Sequence, residues 1–107
     1  MLQVDSGPVL VRWWLAFAGP CELLSLSGAR ATGTGNRFLQ LYDRAAGPPP
    51  AATRPAVTLL WDGGTTLPLV PRWRFSNGLL VAMSNNDAVQ WNDPGADQWT
   101  FQAMLGG

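Results

Sequence analysis

Turn-forming residues divide this chain into short apolar runs, and no run sustains helical periodicity. The breaks are Gly19-Pro20, Gly33-Thr34-Gly35-Asn36, Pro48-Pro49-Pro50, Asp62-Gly63-Gly64, Asn85-Asn86-Asp87 and Asn92-Asp93-Pro94-Gly95. Between them Val, Leu, Phe and Trp fall at alternate positions, the period of a half-buried strand. Such a chain buries its apolar faces by stacking antiparallel sheets. The expected fold is therefore all-β: a single antiparallel β-sandwich, jelly-roll or immunoglobulin-like, of seven or eight strands with little or no helix. At 107 residues it makes one domain over 1–107, which buries roughly two-thirds of the unfolded surface without staples.

The densest strand-favouring run is Phe38-Leu39-Gln40-Leu41-Tyr42, which reads as a central strand with apolar groups on both faces. Residues 1–8 end in Ser6-Gly7-Pro8 and read as a loop or an extended arm. Val9, Val11, Trp13, Leu15 and Phe17 share one strand face, with Leu10, Arg12, Trp14 and Ala16 on the other. Trp13 and Trp14 thus point opposite ways, and one of them lies outside the core as a contact surface. Cys21 to Ser27 forms a second strand, with Glu22, Leu24 and Leu26 opposite Cys21, Leu23 and Ser25, and 28–36 reads as a loop. Arg44 to Ala56, with Pro48, Pro49 and Pro50, favours extended polyproline geometry. It is long enough to cross an end of the sandwich or touch a neighbour. Val57 to Trp61 is a strand, and Pro68 restricts 65–70 to an edge strand or extended loop. Trp73 and Phe75 face away from Arg72 and Arg74. Leu79 to Ser84, Ala88 to Trp91 and Trp99 to Ala103 complete the set.

Chemistry is sparse. The chain has no His, the commonest general base and metal ligand. Cys21 is the only cysteine, so no intrachain disulfide forms, and as a nucleophile it lacks a His partner; it reads as a buried thiol. A hydrolase would need Asp43 and Asp62 to meet in space. Asn85, Asn86, Asp87, Asn92, Asp93 and Asp97 offer calcium-type oxygen ligands, but the spacing matches no EF-hand and turn formation accounts for them. Trp91 and Trp99 flank a polar loop, as aromatic residues do in glycan-binding sandwiches, although Trp is commoner in cores and interfaces. No metal or cofactor is expected.

Formal net charge is +0, with all seven cations Arg, so there is no basic footprint for nucleic acid or an acidic membrane. Val9 to Ala18 is apolar, but Arg12 interrupts it and it is too short for a membrane span. The chain reads as soluble and unprocessed. Only 13% of residues are charged, about half the usual share. Either part of the surface is covered by copies of the chain or by a partner, or the surface is polar and uncharged.

Leu23 to Gly28, then Arg37-Phe38-Leu39-Gln40-Leu41-Tyr42-Asp43, a Pro/Ala-rich connection, Val57 to Trp61, and Phe75-Ser76-Asn77-Gly78-Leu79-Leu80-Val81-Ala82-Met83-Ser84 follow in order. This arrangement resembles small β-sandwich virion proteins of tailed bacteriophages and gene transfer agents. The likeness covers 23–84 and does not extend to the N-terminal Trp strand or the Trp91 to Trp99 loop. It implies a non-enzymatic capsid decoration or cement protein, commonly homotrimeric, assembled into the virion in the host bacterial cytoplasm. The partners would be copies of itself and a major capsid protein or other virion proteins. In that role Trp13 or Trp14 and the Pro48 to Pro50 connection contact the shell or a neighbour, and Arg72 and Arg74 pair with acidic groups. The alternative is a receptor- or glycan-binding module of a head spike or tail fibre, using Trp91 and Trp99.

Overall fold

The computed structural model describes residues 2–8, 10–32, 37–50, 54–61, 67–85, 91, 94–95 and 98–106, with the backbone alone at 32 and 67–72. The described residues form eight strands: β1 (Leu2–Asp5), β2 (Trp13–Phe17), β3 (Cys21–Thr32), β4 (Phe38–Asp43), β5 (Val57–Leu60), β6 (Leu67–Phe75), β7 (Leu79–Ser84) and β8 (Gln98–Gly106). They make two four-stranded antiparallel sheets, ordered β1-β8-β3-β6 and β2-β7-β4-β5. Every connection except β4–β5 crosses from one sheet to the other. This is jelly-roll order, not the immunoglobulin split of strands.

The inner faces carry the core. Leu23, Leu26, Phe101, Ala103 and Leu105 of the first sheet meet Leu39, Leu41, Leu79, Val81 and Met83 of the second, all at 2% exposure or less. Phe101 sits at the centre. Trp14 stacks on it with ring centroids 6.0 Å apart and planes 3° from parallel. Trp61, just beyond β5, approaches it from the opposite edge strand of the second sheet at 6.4 Å. Gly28 lies beneath this pair; a Cβ there would come within 2.9 Å of the Thr100 carbonyl and 3.3 Å of the Trp61 ring. The glycine therefore answers to packing inside a strand, not to a loop.

β4 is central, as its composition predicts, between β7 and β5. Gln40 is fully buried on its outer face, where Tyr42 donates its hydroxyl hydrogen to Gln40 Oε1 at 2.6 Å. That outer face is covered too. Trp13, Leu15 and Trp91 pack over Tyr42, Leu80 and Ala82, which is why all six residues of β7 are buried.

The structure departs from strict alternation at three bulges, each of which shifts a strand's faces by one residue. One falls between Leu15 and Phe17, so Phe17 leaves the face of Trp13 and packs against the main core. Another falls between Leu23 and Ser25 and brings Leu26 onto the core side with Leu23, not opposite it. The third lies between Arg30 and Thr32. Pairing with β8 carries β3 to Thr32, through part of the segment expected to be a loop. The expected N-terminal arm is edge strand β1, paired with β8 from Leu2↔Leu105 to Asp5↔Gln102. The expected strand Val9 to Phe17 is broken. Val11 bridges to Trp99 of the first sheet, and pairing with β7 begins only at Trp13. Pro68 and Pro71 lie in β6, which pairs with β3 alone, the edge position that a residue without a backbone donor tolerates.

Candidate functional site

Asp43, the one member of the hydrolase pair among the described residues, is a structural clamp. Its Oδ2 accepts from Ser76 N at 3.1 Å, and its Oδ1 from Asn77 N at 2.7 Å and Gly78 N at 3.3 Å. Burial alone would raise its pKa, but the three backbone donors outweigh it and hold the carboxyl below its ordinary value. Asp62 lies outside the described residues. Since the folded pKa lies below the unfolded one, Asp43 contributes stability above its unfolded pKa, and that contribution fades as pH falls through the folded value. Asp43→Asn should therefore lower the urea midpoint at neutral pH and flatten the acid limb of the stability profile. A profile unchanged by D43N would show that the clamp contributes nothing.

Cys21 is buried, and burial first, then the nearby Asp43 charge, pushes its thiol pKa up. It is held as the unreactive thiol. Of the calcium-type ligands, only Asn85 is among the described residues, and within these no three His, Cys, Asp or Glu side chains converge.

The expected contact residues scatter to different environments. Trp13 and the Pro-rich connection do come together: a Cβ on Gly47 would strike the Trp13 ring, so the chain crosses that indole closely. Beyond it Pro48 is exposed, Pro49 buried and Pro50 half-buried, and Ala56 N returns to Leu41 O at 2.8 Å. Trp14 instead faces the core on Phe101. Trp91 donates Nε1–H to Met83 O at 2.9 Å and packs on the outer face of the second sheet.

Trp99 corrects the sequence reading. It is 0% exposed, with the Arg30 guanidinium 5.4 Å above its ring, so it cannot stack on a sugar or touch a partner. Its burial follows from the period of β8, which places Trp99, Phe101, Ala103 and Leu105 on the inner face. Arg74 pairs with Glu22 at 3.0 Å across the β3–β6 register, so its partner lies within the chain. Arg72 lies on β6, and its side chain is outside the described set.

The exposed apolar residues were not on the expected contact surface. Among the described residues the large exposed hydrophobics are Leu2, Leu10, Leu59, Leu60 and Trp73. The signal for one of them is in the sequence: of consecutive Leu59-Leu60 in a strand, only one can face a single core, and Leu60 is the more exposed. The surface also has depressions. One of about 400 Å³, with a mixed polar and apolar lining, runs over the first sheet between Asp5, Ser27, Thr100 and Gln102. An apolar one of about 410 Å³ lies along the β2 edge beside Leu10, Val11, Trp13 and Leu15.

No family model, curated protein or solved structure matches this chain.

Proposed function

We propose that this protein is a non-enzymatic structural component of a bacteriophage-type virion, a decoration or cement subunit that binds the capsid as a homotrimer. The supporting observation is the jelly-roll strand order combined with large exposed apolar residues on the edge strands of the sandwich and the run into β2. Jelly rolls serve in viral capsids, lectins and cupins, and edge-borne apolar contacts suit lateral assembly. The chain's lack of His removes the commonest metal ligand, and Asp43 is occupied by its own backbone clamp. Cementing needs only modest contacts per copy, because repetition over a lattice multiplies them. Trp13 and the exposed Pro48 beside it supply one such contact.

The test is the protein composition of gradient-purified particles from cells that carry the gene. The expected result is this chain present in fixed proportion to the major capsid protein. Its absence from particles would overturn the proposal.

One observation favours a glycan-binding fibre module as the second reading. The depression beside Asp5, Ser27, Thr100 and Gln102 offers hydroxyl, amide and carboxylate groups on a β-sheet face. The Trp91–Trp99 platform does not support it, since Trp99 is enclosed. A glycan array decides the matter, with Gln102→Ala as the control; no bound glycan removes this reading.

A further inference from the structure

We propose that the outer face of the first sheet is a carbohydrate site, a trough along β8 and β3 that binds a neutral, unbranched oligosaccharide without cleaving it. This rests on the glycan-binding reading above, and it specifies the class of sugar and the residues that hold it.

The two sheets differ in what covers them. On the second, Trp13, Leu15 and Trp91 pack over the outer face. On the first, depressions lie over the outward residues of β1, β8 and β3. One of about 400 Å³ is on the Thr100 side, and another of about 200 Å³ is on the Met104 side. Both are lined by Ser27 and Gln102, so they join into one trough. From Thr100 to Met104 it runs roughly 13 Å at the rise of a strand, the scale of a short oligosaccharide and not of a single sugar.

Register sets the lining. Asp5, Gln102 and Ser27 are cross-strand partners in one row over β1, β8 and β3, and Gln3, Met104 and Ser25 form the next. Thr100 and Ala29 make a third row at the other end. On β8 these positions alternate with the buried Phe101, Ala103 and Leu105, and so face outward. The end wall is held in place. Ser6 exchanges two hydrogen bonds with the Phe101 backbone at 2.9 Å, and Gly7 N donates to Asp5 Oδ1 at 2.9 Å. The carboxylate is therefore oriented before a ligand arrives, which lowers the ordering cost of binding.

The lining chooses among ligands. It combines a carboxylate, amides and hydroxyls with the apolar surfaces of Pro8, Ala29 and Met104. A pyranose has the same duality, with hydroxyls at its rim and C–H groups on its faces. Asp5 is the one charged residue among the described lining, so phosphate, sulfate and uronate groups find no cation there. Peptide strand addition needs an open sheet edge, whereas the floor strands β8 and β3 each have two paired neighbours. A wholly apolar ligand would strip water from Asp5 and Gln102 without replacing their hydrogen bonds. Sugar hydroxyls replace them, donating to the carboxylate in charge-assisted bonds and pairing with the amide. Glycoside hydrolysis takes two carboxylates flanking the scissile bond. The described lining has one, so the sugar is held and not cut.

The test is an amide-resolved NMR titration of the full chain with maltotetraose, cellotetraose, mannotetraose and chitotetraose, and with tetragalacturonate as the anionic arm. At least one neutral tetramer should shift the amides of Ser25, Ser27, Thr100 and Gln102 together and saturably. Tetragalacturonate should leave them in place. Gln102→Ala and Asp5→Asn should each weaken the binding about tenfold, by loss of a hydrogen bond or of the charge that strengthens it. Asp5→Asn keeps the acceptor for Gly7 N. Both side chains are exposed, so thermal midpoints should stay at the wild-type value, which separates lost binding from lost folding.

Silence toward every neutral tetramer would overturn the inference. So would tetragalacturonate binding as tightly as the neutral sugars, or a neutral Gly-Ser peptide shifting the same amides equally. Saturable shifts confined to another surface and untouched by Q102A and D5N would place the sugar elsewhere. The glycan-binding reading would then stand while this site fell, whereas a chain that binds nothing on the broader array fails both.

Discussion

Replacing Trp99 by alanine should destabilise the fold by about 3–5 kcal/mol, the range for truncating a buried aromatic. Trp99 is fully enclosed, and its backbone exchanges both hydrogen bonds with Val11 at 2.8 Å. The side chain thus fills the core at the place where the β1–β2 connection is tied to β8. Arg30 lies over the ring, so the truncation also strips the guanidinium of its aromatic face, worth about 0.5–1 kcal/mol at a partly exposed site. For a domain of this length the fall in Tm should exceed ~12 °C. Thermal denaturation followed by circular dichroism measures it. A W99A protein as stable as wild type would mean that the indole is not packed as described. It would also reopen the reading in which Trp99 faces a ligand.

Gly78→Ala should cost about 3 kcal/mol, the upper end of ordinary overpacking. A Cβ at this position would run into the Arg44 carbonyl oxygen, come within 2.7 Å of the Phe17 carbonyl oxygen and lie 3.0 Å from Ala45 Cα. All three are backbone atoms, so no rotamer change relieves the clash. The ends of β2 and β4 and the turn into β7 would have to separate, and the Asp43 clamp on 76–78 would loosen with them. Gly95 offers the contrast. It has φ of +74° with nothing within 4 Å of an added Cβ, so Gly95→Ala meets only the conformational penalty of about 1 kcal/mol. Urea unfolding of the two variants side by side should rank G78A well below G95A. The reverse order would show that conformation, and not close approach, is what these glycines serve.

Much of the architecture was legible before any coordinates. Alternation with Gly, Pro and Asn punctuation is local information, and it identified β4 as central, narrowed 65–70 to an edge strand or an extended loop, and marked the chain as a sandwich. Pro68 could not have sat in the middle of a sheet, because it has no donor for a second neighbour. β1 escaped notice because Leu2–Asp5 is four residues long and mostly exposed, with too little alternation to register. Its strand character comes from β8, a partner about a hundred residues away.

The contact surface was the least legible part, for a related reason. A Trp-rich run looks alike whether its rings face a core or a neighbour. Trp13 and Trp14 were separated correctly by parity, yet parity does not say which face is covered. Trp99 was assigned by the polar loop next to it, although its place in the final strand's alternation pointed to the core.

The sequence by itself determined the all-β class, the approximate strand set, the central place of Phe38 to Tyr42 and the scarcity of catalytic groups. All of these follow from residue type and short-range period. Only the tertiary structure decided the jelly-roll order, the bulges that send Phe17 and Leu26 inward, the clamping of Asp43 and the edges left apolar. Those depend on which strands pair and in what register. A shift of one residue reverses every face downstream of it, and it is set by packing between segments far apart in the chain.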